Sequence, residues 1–303
     1  MALQQQMRTY PGRMVILPFV LVFVVLLTGC QSVPESSGTI SAAVSILPLQ
    51  FVVERIGGEY VDITVLVGSG QSPASYEPTP KQMAALSEAD LFFGIGVPFE
   101  KAFMPKLTGT LPDLPVVDTR QGILLRSITD RDVHHDHHHH GADPHVWLDP
   151  RNVAVMARTV CTALITLDTV HAESYQHNLD SLLDDLASLH KRIAATLSPY
   201  RGRKLYVFHP AFGYFADAYG LKQVAVEVEG KEPGPRQLAE LIDRARAEGV
   251  KVIFVQNQFP VNTTTKIAEA IGGEVVRIDP LSPDYLDNLD QIATAVVGAY
   301  RHE

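Results

Sequence analysis

The chain has 303 residues, with 25 Lys and Arg against 34 Asp and Glu and a formal net charge of −9. That acidic balance argues against nucleic acid as a partner, because phosphate binding needs clustered cations, and it favours the approach of cations. Hydrophobic residues at 46% and charged residues at 19% describe a folded chain rather than a disordered one, long enough for two lobes of roughly 100–150 residues.

Residues 1–29 read as an export signal: Arg8 and Arg13 are the only charges, and 14–27 is almost wholly apolar. A permanent membrane span needs about 20 apolar residues, so the shorter run suits the core of a cleaved signal. It ends Leu27-Thr28-Gly29-Cys30, which resembles a bacterial lipobox, where cleavage precedes a cysteine that then takes lipid. Cys30 is the expected anchor in the bilayer, with 30–38 a polar tether. Cleavage removes two arginines and no acid, taking the charge from −9 to −11. Cys161 is the other of the two cysteines, so no intrachain disulfide is expected and metal ligands must be His, Asp or Glu.

From residue 39 to 150 apolar runs alternate with amphipathic ones: strand over 40–45, helix 47–56, strand 61–67, helix 79–89, strand 91–95. This is the βαβ pattern of a parallel sheet. Residues 151–200 form a helical region with helices over 152–167 and 172–196, the second carrying Leu179, Leu182, Leu183, Leu186, Leu189 and Ile193 at helical spacing before Pro199 and Gly202 stop it. Alternation resumes over 201–303, with strands at 205–208, 224–228, 250–255 and 274–278 and helices at 211–219, 235–248 and 263–271. The fold class is α/β: two lobes, each built on a parallel sheet, with helix between them.

Residues 133–141 read VHHDHHHHG, a stretch with no apolar face to pack. Its His134, His135, His137, His138, His139 and His140 are candidate auxiliary ligands, since neutral imidazole suits zinc, copper and nickel. The following DPHVWLDP places His145 between prolines. His209 closes the apolar run 205–208 and Asp279 closes 274–278, where open parallel sheets bind ligands. His171, His177, His190 and His302 read as solvated surface.

Together the segments SPASYEPTPKQMAALSEADLFFGIGVPFE (72–100), the histidine-rich loop with DPHVWLDP, FHPAFGYFADAYGL (208–221), EGKEPGP (229–235) and IDPL (278–281) resemble the metal-binding receptors of bacterial ABC importers for zinc and manganese. The resemblance covers almost the whole mature chain and implies two α/β lobes joined by one long rigid helix, with the metal in the cleft between them. It implies His145, His209 and Asp279 as ligands, zinc rather than manganese as the metal, an importer permease and a lipid bilayer as partners, no enzymatic activity, a monomer, and an extracytoplasmic location in the periplasm or on the outer face of the cell membrane. The chain departs from the family at Ala74: a histidine ligand follows proline there in the family, and here Pro73 is followed by alanine, with Tyr76, Glu77 and Pro78 still in register. Water or the second oxygen of Asp279 is the expected substitute, ahead of a histidine from the nearby loop. Other readings are a manganese receptor, a storage or adhesin lipoprotein, and a zinc hydrolase using Glu77 or Glu229 as base.

Overall fold

The computed structural model describes residues 38–128, 141–227, 231, 233–259 and 262–301. The expected signal, Cys30 as its expected anchor, the six loop histidines, Glu229 and His302 therefore lie outside the described residues.

The first half carries β1 (Ile40–Ile46), α1 (Leu47–Gly57), β2 (Val61–Val67), α2 (Pro80–Ser87), β3 (Leu91–Gly94), α3 (Pro98–Thr110) and β4 (Val116–Asp118). Its sheet runs β2-β1-β3-β4, all parallel, with Ile40 opposite Val61 and Ala42 opposite Leu91. β1 reads ISAAVSI and is buried along nearly its whole length, as a central strand covered by helices on both faces must be. The segment between β2 and α2, which carries Ala74, is pinned by Gln82. Its amide closes a reciprocal cap with Thr79, takes the Tyr76 hydroxyl at 2.6 Å and donates to Leu66 O at 2.7 Å. The sequence reading left α3 and β4 unassigned. Pro105 interrupts the helical pattern of α3 but stands exposed, and the helix holds by burying Phe99, Phe103 and Leu107.

Two helices follow, α4 (Pro150–Leu167) and α5 (Ala172–Leu197). α5 buries Tyr175, Leu179, Leu182, Leu186, Leu189, Ile193 and Leu197, each leucine contributing about 2 kcal/mol of transfer free energy. It touches both halves of the fold. Arg55 of α1 pairs with Asp185 at 2.6 Å, Asn178 donates to Ile56 O at 3.0 Å, and at the other end Arg192 pairs with Asp290 at 2.7 Å.

The second half holds β5 (Lys204–Val207), α6 (Gly213–Tyr219), β6 (Lys222–Ala225), α7 (Pro235–Ala247), β7 (Val252–Gln256), α8 (Asn262–Ile271), β8 (Glu274–Ile278) and α9 (Tyr285–Arg301). Its order β6-β5-β7-β8 repeats the strand order of the first sheet, again all parallel. The period of two divides its strands between two cores. Val207 and Phe254 join the large cluster shared with α5 and the first half, while Tyr206, Ile253 and Val255 face a smaller cluster under α7 and α8. α9, unassigned in the sequence reading, supplies Leu289, Ile292, Ala293 and Val296 to the large cluster. The described residues thus form one compact unit, and the fold is the two-sheet parallel α/β architecture expected.

Candidate metal centre

The carboxyl ends of both sheets open on one cavity of about 420 Å³. From the first half its wall takes Ser72, Pro73 and Ala74 after β2, Gly96 to Pro98 after β3, and Arg120 after β4. From the second it takes His209 after β5, Gln256 and Gln258 around the end of β7, and Pro280 and Leu281 after β8. His145 and Trp147 complete it from the segment before α4.

His145 and His209 face one another with ring centroids 5.3 Å apart at an interplanar angle of 75°. Each imidazole has its Nδ1 tied to a carboxylate. His145 Nδ1 meets Asp143 Oδ1 at 2.7 Å, and His209 Nδ1 meets Glu227 Oε2 at 2.7 Å. A carboxylate accepts, so Nδ1 carries the proton and the Nε2 lone pair is left for a metal, the way ligating histidines are commonly oriented. Asp143 is fully buried. Burial alone would raise its pKa, yet hydrogen bonds from His145 and Arg126 outweigh that and hold it below its ordinary value. Burial, with His209 nearby, pushes the His145 pKa down against the pull of Asp143, which keeps the imidazole neutral as ligation requires.

The backbone beneath is fixed as tightly. Asp143 Oδ1 also accepts from His145 N at 3.0 Å, an Asx turn that sets the approach to the ring. Gln256, fully buried at the end of β7, clamps His209 by accepting from its N at 3.1 Å and donating to its O at 2.7 Å. Phe259 stacks on the His209 ring at 5.0 Å. Trp147 Nε1 donates to Pro280 O at 2.7 Å and Tyr285 donates its hydroxyl to Trp147 O at 2.6 Å, so the segment carrying His145 is sewn to the turn carrying Asp279.

Asp279 behaves differently. Its Oδ1 accepts from Leu281 N at 2.9 Å and Gln258 Nε2 at 3.1 Å, and it is not among the lining residues, where Pro280 and Leu281 stand instead. Among the described residues no three His, Cys, Asp or Glu side chains gather closely enough to hold a metal. The donor set present is two imidazoles, which fits a borderline-soft ion such as zinc and leaves its shell open. Ala74 lines the cavity with a methyl group. Glu77 is exposed and outside the lining.

The described residues on either side of the histidine-rich loop stand at this cavity. Ile128 and Gly141 both line it, and the neck is closed by the Ser127–Ala142 bridge and by Asp143 N donating to Arg126 O at 2.8 Å. Arg126 in turn pairs with Asp143 at 2.8 Å and with Asp217 at 3.0 Å. Of the histidines read as surface, His177 is exposed. His171 instead packs on Tyr60 at 3.8 Å with its Nδ1 on Asp168, and His190 sits part-buried against Tyr219.

Sequence reasoning missed Asp143, Glu227 and Gln256. Signals existed for two of them: the Asp-x-His spacing of an Asx turn at 143–145 for Asp143, and a lone amide ending the apolar strand VIFVQ for Gln256.

The family model described as zinc-uptake complex component A, periplasmic, matches residues 43–299. The zinc-binding lipoprotein AdcA of Streptococcus pneumoniae is 29% identical over 267 residues, covering 85% of this chain and 52% of that protein. The chain therefore spans about half the length of that relative. The manganese-binding lipoprotein MntA of Halalkalibacterium halodurans is 28% identical over 266 residues, covering 84% of this chain and 85% of its own. Among solved structures, the crystal structure of ZnuA superimposes with a TM-score of 0.80 at 37% identity, covering 86% of this chain and 99% of that one. With two imidazoles poised over a cleft between twin parallel sheets and a family match across most of its length, this chain belongs to the periplasmic zinc-uptake component A family of metal-binding receptors.

Proposed function

We propose that the protein captures zinc in this cavity, outside the cytoplasm, and passes it to the permease of an ABC-type importer. The observation that carries the reading is the matched pair His145–Asp143 and His209–Glu227, two imidazoles each held through Nδ1 by a carboxylate with their rings 5.3 Å apart. Nitrogen ligands favour zinc, whereas manganese is better served by carboxylate oxygens. The manganese-binding relative keeps the second metal in view. Asp279 is the proposed third ligand, reaching the ion once a side-chain rotation gives up its bonds to Gln258 and Leu281. Water or the second Asp279 oxygen would stand where Ala74 offers nothing. Cys30 would hold the chain, as a monomer, to the membrane surface, with the loop histidines collecting metal at the cavity mouth. Of the two bases a hydrolase would use, Glu77 lies outside the cavity lining and Glu229 outside the described residues.

Calorimetric titration of the metal-stripped protein tests this. One tight zinc is expected, lost in His209→Ala with the fold intact, and outcompeting manganese. An unchanged tight phase in His209→Ala would refute the ligand assignment, and tighter manganese binding would refute the choice of metal.

A further inference from the structure

Resting on the receptor reading above, we infer that the cavity takes zinc together with a small polycarboxylate, whose oxygens complete the metal shell on the side where the first half of the protein supplies no ligand.

Room is the first argument. At about 420 Å³ the cavity is far larger than one ion and one water require, since a water occupies roughly 30 Å³ of liquid. Ligand count is the second: two imidazoles line it, and even with Asp279 turned in as third ligand one place of a tetrahedral shell stays open.

Charge decides what fills the remainder. From the first half, Lys101 and Arg120 line the cavity, and neither is a metal ligand. Asp118 takes Arg120 through Nε at 2.9 Å and Nη2 at 2.8 Å, which leaves Nη1 over. That Nη1 lies where a side chain on Gly96 would stand, and the glycine, at φ 76°, leaves the space to it. Among the described residues no carboxylate pairs with Lys101, an exposed side chain. Arg120's charge is already matched by Asp118 and by Glu100 nearby, so Lys101 is the cation that repels a bare dication and attracts a carboxylate, with Arg120 offering its remaining N–H groups. Arginine with free N–H groups and lysine are also the usual partners of a carboxylate's spare oxygens. A polycarboxylate bound to zinc satisfies both sides at once, giving oxygen to the metal and its remaining charge to Lys101 and Arg120. The wall is fixed in place: Phe99 N donates to Pro73 O at 3.1 Å, and buried Glu100 accepts from Ile95 N and Gly96 N.

Citrate is the probe. The metal-stripped protein is mixed with zinc and radiolabelled citrate, each at one equivalent, and passed through a desalting column, with zinc and label counted in the protein fraction. Citrate is expected to co-elute at one per protein when zinc is present and to be absent without it. Lys101→Glu should lose the citrate and, with the metal shell left open, hold zinc less tightly. Ala74→His, which places an imidazole on the first-half wall, should also lose the citrate but bind zinc alone more tightly than the parent. Zinc retained without citrate would overturn the co-ligand and leave the receptor reading standing. Citrate retained without zinc, or retained undiminished by Lys101→Glu and its milder counterpart Lys101→Gln, would also overturn it. A protein that keeps no zinc under either condition would defeat the receptor reading itself.

Discussion

Replacing Asp143 by asparagine separates the two things this carboxylate does. In the native protein one oxygen accepts from His145 Nδ1 at 2.7 Å and His145 N at 3.0 Å, and the other takes Arg126 at 2.8 Å. Asparagine keeps the shape and can still accept from His145 through Oδ1, but it then turns an NH2 group towards the guanidinium, donor against donor. Breaking a buried ion pair costs about 3–5 kcal/mol. Here Arg126 keeps Asp217 as a second partner and is 21% exposed, so about 2–3 kcal/mol is the expected loss of stability in urea titrations of the metal-free protein. The neutral amide is also a weaker acceptor for Nδ1–H and makes Nε2 less basic. Loss of such a partner typically lowers metal affinity about 10–100-fold, or about 1.4–2.8 kcal/mol, measured by competition with a zinc-sensitive chelator. Glu227→Gln provides the comparison, because among the described residues the bond given to Glu227's side chain is that from His209. It should lose affinity over the same range with a much smaller loss of stability. If Asp143→Asn stayed folded with unchanged zinc affinity, the orienting role assigned to these carboxylates would be wrong.

Deleting residues 133–140 should remove weakly held zinc and leave one tight equivalent, read by titration; loss of the tight site would mean that the loop supplies an indispensable ligand. At the turn between α4 and α5, Asp168 accepts from His171 Nδ1 at 2.6 Å and from the Tyr175 hydroxyl at 2.8 Å. Burial opposes its charge, but these bonds win and hold its pKa below the ordinary value of 3.8. A depressed carboxylate stabilises the fold above its unfolded-state pKa, and that contribution is lost as pH falls through the native value. Asp168→Asn should therefore cost about 2 kcal/mol at neutral pH, and the gap from the parent should close below its ordinary value of 3.8. A gap that widened on acidification would contradict the reading.

Elements whose burial is one-sided or complete were legible in the sequence. The runs 61–67 and 274–278 coincide with β2 and β8, and the leucine ladder of α5 appears where its spacing placed it. α3 was hidden by Pro105, because a proline inside a helix is normally disqualifying and only its exposed position reveals why it is tolerated. At the site, His145 and His209 could be found because their place in the chain, at a motif and at a strand end, fixes where they go. Asp143 carried only the Asp-x-His spacing, and Glu227 could not be found, since one carboxylate among 34 acidic residues has no mark until tertiary structure sets an imidazole against it. His171 and His190 were misread for the same reason: their helix predicts a polar face, but Tyr60 and Tyr219 come from elsewhere to cover them.

The bonding around His145 also reassigns it mechanically. By sequence it belongs to the first 150 residues, yet its supports point to the second half. Asp143 is held by Arg126, which reaches Asp217, and its carbonyl accepts from the Tyr214 hydroxyl at 3.3 Å; Trp147 is bonded to Pro280 and to Tyr285. Both imidazoles, and Asp279 with them, are thus bonded into the second half, while the first half lines the cavity with Ala74, Lys101 and Arg120. An ion gripped by ligands from both sides must lose bonds from one side before the sides can part. An ion held from one half, with a small anion bridging to basic groups of the other, loses only charge-assisted contacts when they do. Those contacts are weakened by salt where exposed, so capture by this protein should be more sensitive to ionic strength and to available carboxylate than capture by a site with a histidine at residue 74.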